Sequence, residues 1–155
     1  MAWSNSKIFS AFVTDALNNT AALDLNADTF KAALYNNTGT PDQTVASANT
    51  AYNAGQWVTA NEVSQSGQWA AGGVALASIT SGFSSNVYTY DAADTASGAA
   101  ATLANVYGCL IYDDTLTTPV ADQGVCFNYF GGANSVTAGT LTVVWSASGI
   151  FALTL

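Results

Sequence analysis

The feature that most limits the fold of this chain is a series of short β-like runs that fills its second half. Val, Ile, Thr, Tyr and Phe are enriched in these runs, and Gly, Asn and Asp separate them. This pattern is typical of strands that pair in antiparallel fashion, without the helices that a parallel sheet needs between its strands. We therefore predict a mainly β protein, an antiparallel β-sandwich or a jelly-roll-like barrel. The expected strands cover residues 29–35, 74–80, 86–91, 103–112, 124–130, 140–146 and 149–155.

The last two of these strands, in TLTVVWSASGIFALTL, are expected to form a closing hairpin or one long strand with a break at SASG. The N-terminal segment SKIFSAFVTDAL differs, because its apolar residues recur at helical spacing. We predict one α-helix over residues 4–19 and a β-rich body over 29–155, which together form a single domain. Ile8, Phe9 and Phe12 are candidate contact residues. Their stripe favours packing on the protein's own sheet, with contact to a neighbouring subunit as the alternative.

The chain carries very little charge. Only 8% of its 155 residues are charged, against about 25% in a typical soluble domain, and the net charge is −8. Lys7 and Lys31 are the only cations. They are too few to neutralise phosphates, which argues against nucleic acid and anionic membranes as partners. No apolar run approaches the about 20 residues of a membrane-spanning helix, and the N-terminus lacks the pattern of a signal peptide.

The usual catalytic and cofactor motifs are missing from the sequence. It has no histidine and two cysteines, which rules out ordinary Ser-His-Asp and Cys-His catalysis and a four-ligand zinc site of His and Cys. Neither a phosphate-binding P-loop nor a dinucleotide-binding glycine pattern occurs. We therefore expect no enzyme activity, no cofactor and no metal site.

Paired carboxylates are the remaining route to catalysis. Asp113 and Asp114 are adjacent, and Asp91 and Asp94 are three residues apart. Such pairs can serve glycoside hydrolysis or, with neighbouring oxygens, hold a calcium ion. Both pairs lie where turns are expected, however, and turn formation is the favoured interpretation.

Cys109 and Cys126 lie in two β-like runs that a hairpin through TLTTPVAD would bring together. A disulfide is therefore geometrically open, but the sparse use of cysteine favours two buried thiols. The aromatic residues Trp57, Trp69, Tyr88, Tyr90 and Trp145 raise carbohydrate binding as a hypothesis. Core or interface packing is the favoured role for them.

Four segments resemble a family of small virion proteins of tailed bacteriophages. They are FKAALYNNTGTPD, YNAGQWVTANEVSQSGQWAAGGVALASIT, VYGCLIYDDTLTTPVADQGVCFNYFGG and AGTLTVVWSASGIFALTL. The resemblance extends from Trp3 to Leu155, and its motifs are structural rather than catalytic. It implies a virion component made in the host cytoplasm, above all a decoration (cement) protein on the capsid exterior. The alternative is a receptor- or glycan-binding module associated with the tail or a fibre.

The resemblance also implies the partners. These are the major capsid protein and further copies of the chain itself, with a homotrimer as the first expectation because lattice three-fold positions suit one. Residues 60–73, which include the only glutamate, are then a candidate contact loop. Its candidate residues are Glu62, Gln65, Trp69, Gly72 and Gly73. Glu62 would either accept backbone N–H groups or pair with a basic capsid residue, and an ordinary edge strand and turn is the alternative for the loop.

Overall fold

Ten strands and one helix form the regular structure of residues 3–155, the part of the chain that the computed structural model describes. In chain order they are β1 (Lys7–Ile8), α1 (Ser10–Leu17), β2 (Phe30–Tyr35), β3 (Val74–Ala75), β4 (Thr80–Ser84), β5 (Val87–Asp91), β6 (Thr95–Ala96), β7 (Ala101–Asp113), β8 (Gly124–Gly139), β9 (Thr142–Val143) and β10 (Phe151–Thr154). The long segment between β2 and β3 contains two single 3₁₀ turns, at Ser47–Asn49 and Thr59–Asn61.

The strands form three antiparallel sheets. The strand order is β1-β8-β7-β2-β3 in the largest sheet and β10-β5-β4 in the second, and β6 pairs with β9 in the third. The predicted mainly β architecture with one helix is confirmed, and the arrangement of the sheets resembles a sandwich. Each sheet described here has two free ends, so none of them closes, and the alternative of a jelly-roll-like barrel is wrong.

The β7–β8 hairpin is the centre of the largest sheet. Both predicted strands are present, and both are longer than the sequence indicated: β7 spans 13 residues and β8 spans 16. Cys109 lies opposite Asn128, and Cys126 lies opposite Ile111. Both cysteines are buried and free, as the favoured interpretation predicted. Burial in apolar surroundings raises the pKa of both thiols, which keeps them protonated.

The N-terminal helix is shorter than predicted. Lys7 and Ile8 pair with β8, opposite Phe127 and Cys126, so helix α1 begins only at Ser10. The helix ends at Leu17, and Asn18 is its C-cap, close to the predicted end. Of the predicted apolar stripe, only Phe12 is a buried residue of the helix, because pairing with β8 takes the first part of the segment out of the helix and Ala16 and Leu17 are exposed. No helix among residues 3–155 is long and apolar enough to cross a lipid bilayer.

The predicted C-terminal hairpin is wrong. Strand β9 pairs with β6 and strand β10 pairs with β5, so the two last strands belong to different sheets. The predicted strand 74–80 is also divided, since β3 ends at Ala75 and β4 begins at Thr80. In each case the local pattern identified residues of β character, but the partners of β3, β9 and β10 lie far away along the chain.

Aromatic rings join the layers of the structure. One core cluster contains buried residues from Trp3 to Phe151. Phe30 of the largest sheet contacts Tyr90 of the second edge to face, with ring centroids 5.4 Å apart. Phe12 of the helix contacts Phe151 of β10 in the same way, at 6.3 Å. Such pairs contribute beyond the area that they bury, so they compensate for the near absence of ion pairs.

Candidate functional site

The candidate contact loop, residues 60–73, is held along strand β2. The N–H of Asn36 donates to the carbonyl of Asn61 at 3.0 Å, and the N–H of Val63 donates to the carbonyl of Leu34 at 2.8 Å. These bonds extend the edge of the sheet from Asn61 to Val63, at the end of the second 3₁₀ turn. The chain then leaves the sheet. The first part of the loop is therefore ordered by backbone pairing, which is the edge-strand alternative that the sequence left open.

The Glu62 side chain, near the start of this loop, forms a hydrogen bond with Gly72 near its end. Its Oε1 accepts the N–H of Gly72 at 2.8 Å, and its Oε2 accepts the hydroxyl of Tyr52 at 2.8 Å. Burial raises the pKa of Glu62, and these two hydrogen bonds act in the opposite direction. Of the two roles predicted for Glu62, acceptance of backbone N–H groups is the one that this geometry provides. The carboxylate is thereby engaged inside the molecule.

Two tyrosines that sequence reasoning missed complete this network. The rings of Tyr52 and Tyr112 stack with centroids 5.1 Å apart and planes at 14°. The hydroxyl of Tyr112 donates to the carbonyl of Gly72 at 2.6 Å. Burial, together with the hydrogen bond to Glu62, raises the pKa of Tyr52 to about 12. No local signal marks these residues as partners of Glu62, because they lie 10 and 50 positions from it in sequence.

The turn at the centre of the loop is closed by Gln65 and Trp69. The N–H of Gln65 donates to the carbonyl of Trp69 at 2.7 Å, and the reverse bond is 3.0 Å long. The Trp69 side chain is fully buried, and its Nε1 donates to the carbonyl of Ala32 at 3.1 Å. Gly67, between them, has a φ of 74°, in the left-handed region that favours glycine.

The structure brings the five candidate residues together, but as a frame rather than as a surface. Trp69 is buried, and the others are at most half-exposed and hydrogen-bonded or packed inside. The exposed residues between Glu62 and Gly72 are Ser64, Ser66, Gly67, Ala70 and Ala71. We call these five residues the loop tip. It is small and carries no charge, so any partner of this loop would contact Ser, Gly and Ala rather than Glu62.

The candidate helix residues are also internal. Ile8 is half-buried in β1, Phe9 is buried before the helix begins, and Phe12 is buried on the helix. They pack on the protein's own core, which was the favoured of the two roles predicted for them. Leu17, at the helix end, is instead 82% exposed.

Two of the three tryptophans proposed for sugar stacking are not available for it. Trp57 is 1% exposed and Trp69 is fully buried, in agreement with the core packing that the sequence favoured. A surface groove of about 600 Å³ lies instead between β8 and the segment around β9. Tyr129, Phe130 and Trp145 contribute aromatic surface to it, and Asn128 and Asn134 contribute amides.

Three of the four paired aspartates form hydrogen bonds or an ion pair, whereas Asp91 lies in strand β5, where the sequence predicted a turn. Oδ1 of Asp113 accepts the N–H groups of Thr115 at 2.8 Å and Leu116 at 3.1 Å, which shapes the start of the β7–β8 connection. Asp114 pairs with Lys31 Nζ at 2.8 Å. Oδ1 of Asp94 accepts the N–H of Trp145 at 3.0 Å. Among residues 3–155, no three His, Cys, Asp or Glu side chains lie close enough together to hold a metal ion.

Asp113 differs from the other aspartates in its burial, because it is completely inaccessible to solvent. Burial, and secondarily the negative charge of the neighbouring Asp28, raises its pKa to about 6. A carboxyl group that is half-protonated near pH 6 makes the stability of this region depend on pH.

Comparisons of the chain with protein-family models, with curated proteins and with solved structures find no match.

The close approach of the loop to β2 gives a prediction for Gly73. Its φ is 80°, and a Cβ there would overlap the backbone carbonyl of Ala32. We expect Gly73→Ala to lower the free energy of unfolding by about 2–4 kcal/mol through backbone strain and displacement. Gly67→Ala is the matched control, because Gly67 has a φ of 74° with no atom within 4 Å of its Cβ position. The control should lose only about 1 kcal/mol. Equal losses in urea unfolding would contradict this account of the loop.

The raised pKa of Asp113 gives a second prediction. The unfolded chain releases this proton near pH 4 and the folded chain near pH 6, so the folded state loses stability as pH rises between these values. Asp113→Asn keeps an oxygen acceptor and has no proton to lose. We expect its free energy of unfolding, relative to the unmodified protein, to rise by on the order of 1–3 kcal/mol between pH 4 and pH 7.

Asp42→Asn is the control of opposite sign. Hydrogen bonds from the hydroxyl and N–H of Thr44 lower the pKa of Asp42, so its contribution to stability is present at neutral pH and disappears in acid. This variant should therefore be the less stable one at pH 7, with the difference vanishing in acid. Chemical unfolding at several pH values measures both effects, and a pH-independent difference for Asp113→Asn would refute the assignment.

Proposed function

We propose that the protein is a non-enzymatic structural component of a bacteriophage virion. In this proposal it is a capsid decoration protein that binds the outer face of the major capsid protein lattice and stabilises the shell. The proposal is supported by the sequence resemblance from Trp3 to Leu155. The structural observation that carries it is the loop tip, an uncharged surface on a rigid frame.

The loop tip is suited to a contact that must form at low cost. Ser64, Ser66 and Gly67 carry no ionised group, so burying them against a partner requires less desolvation than burying charged side chains. The frame beneath them is fixed by Glu62 and Trp69, which limits the conformational entropy that binding would remove. A modest contact of this kind becomes strong when it is repeated over a symmetric lattice.

The charge of the chain favours the outer face of a shell over the inner one. With a net charge of −8 and two lysines, the protein would be repelled by packaged DNA. One of the two lysines, Lys31, is already paired with Asp114. Attachment to the capsid exterior fits this charge. We also propose that the protein is made in the host cytoplasm. Further copies of the chain are its second proposed partner.

The large groove supports a second candidate function, a receptor- or glycan-binding module on the tail or a fibre. Tyr129, Phe130 and Trp145 lie beside two asparagine amides there, and aromatic faces next to amide groups can recognise sugars. Because Trp57 and Trp69 are buried, a glycan would bind in this groove, where Trp145 is the one aromatic residue that the sequence had suggested for carbohydrate binding.

The decoration proposal predicts saturable binding of the purified protein to particles assembled without it. Co-sedimentation should show binding that reaches a plateau. Ser66→Glu places a charge on the loop tip and should weaken this binding by about tenfold or more, because the charge must be desolvated. Thr137→Glu makes the same change at an exposed position of β8 and should bind like the unmodified protein. Failure of the unmodified protein to co-sediment would contradict the proposal, and binding of glycans that is lost in Trp145→Ala would favour the second candidate.

A further inference from the structure

Strand β4 is an unprotected edge of the second sheet. It is the terminal strand in the order β10-β5-β4, and four of its five residues are exposed. Its sequence, TSGFS, has no charge and no proline, the two features with which proteins commonly block such edges. Phe83 on this strand is 58% exposed, so an apolar ring stands at the open edge.

The register shows which backbone groups point outward from β4. The N–H of Leu155 donates to the carbonyl of Asn86 at 2.9 Å. Asn86 and, by alternation, Tyr88 and Tyr90 of β5 therefore direct their N–H and C=O groups toward β10. The residues between them, from Val87 on, face β4, where Val87 lies opposite Ser84. On β4 the alternation therefore leaves the N–H and C=O groups of Ser81 and Phe83 directed away from the sheet.

The turn of the hairpin leads to the same conclusion. Ser85 and Asn86 form a two-residue connection in which both residues have positive φ, 50° and 64°. This is the type I′ geometry, in which the flanking pair Ser84–Val87 is hydrogen-bonded. Among residues 3–155, no backbone hydrogen bond joins Ser81 or Phe83 to any segment beyond the sheet.

We propose that two copies of this chain pair through β4, antiparallel and about a two-fold axis at Gly82. Ser81 of each copy then lies opposite Phe83 of the other, and the outward groups of these residues form four backbone hydrogen bonds. The two Phe83 rings lie on one face as diagonal neighbours, about 7–8 Å apart at Cα, which is within reach of aromatic side chains. The pairing joins two three-stranded sheets into one sheet of six strands.

A second copy is the occupant that the register of this edge fits, because the outward groups of Ser81 and Phe83 complement those of an identical strand about one two-fold axis. Each copy carries a net charge of −8, so two copies repel each other over most of their surfaces. The segment from Thr80 to Asn86 has no charged residue, which lets the two edges meet without opposing carboxylates. The resulting contact is closed by two copies, so it specifies a dimer rather than the trimer that lattice symmetry suggested.

The other edge of this sheet is less open. Strand β10 lies beside the largest sheet, where Asn128 Nδ2 donates to the carbonyl of Ile150 at 3.2 Å. A groove next to Ala152 is lined by Lys7, Ile8 and Gln43, which would meet a strand added there. Phe151 and Leu153 already pack against the core, whereas Phe83 does not.

The proposal is tested by the mass of the purified full-length protein in solution, without particles. Sedimentation equilibrium at about 100 µM populates complexes with micromolar dissociation constants. We expect twice the monomer mass of 15.8 kDa. Ser81→Pro removes an outward N–H and leaves the ladder to β5 intact, so this variant should sediment as a monomer. Ser81→Ala removes only the hydroxyl bond to Asn26 and should remain a dimer.

Two further variants keep the test decisive. Ala152→Pro places proline on the opposite edge, at β10, and should remain a dimer. If Ser81→Pro does not fold, Phe83→Lys should give the monomer instead, with Thr137→Lys as its charge-matched control. A monomeric unmodified protein, a trimer, or a dimer that survives both β4 variants would overturn the inference, as would dissociation by Ala152→Pro. Because particle binding is measured separately, this inference and the decoration proposal can fail independently.

Discussion

Contacts between Trp57 and four other aromatic rings join several segments of the chain through one buried side chain. Its ring centroid lies 5.8 Å from Trp3, 6.0 Å from Phe9, 5.1 Å from Tyr35 and 5.9 Å from Phe127. The N-terminal segment, the start of the helix, strand β2 and strand β8 are thus joined through one side chain. In a chain with 8% charged residues and no disulfide, this aromatic packing has the stabilising role that ion pairs and crosslinks have elsewhere.

The same packing explains how a long connection can present a defined surface. Trp57 anchors the segment between β2 and β3 at its middle, and the hydroxyl of Tyr35 donates to the Trp57 carbonyl at 2.6 Å. Glu62 then fixes the next part, through Tyr52 and Gly72. The Glu62 and Gln65 side chains form hydrogen bonds inside the molecule, and the residues exposed between them and Gly72 are small and uncharged. The only glutamate of the chain therefore shapes the loop.

Sequence reasoning succeeded where the signal is local. The alternation in FKAALY and in VYGCLIYD predicted β2 and β7, and the dipeptide Asp113-Asp114 predicted a turn. It failed where a distant segment decides the structure. Lys7 and Ile8 have helical periodicity, but the backbone of β8 pairs with them, and β9 and β10 separate because β6 and β5 are their partners. For the loop, the acceptor role of Glu62 was predictable, whereas the burial of Trp69 under β2 and the role of Tyr112 depend on tertiary packing.

The central proposal is that this rigid, weakly charged chain, with a net charge of −8, covers a capsid lattice. The most direct test is its copy number in purified particles, measured by quantitative mass spectrometry against the major capsid protein. The account predicts a ratio near one copy per capsid subunit or another simple fraction of the lattice. Absence from the particles, or a few copies at a single location, would contradict it.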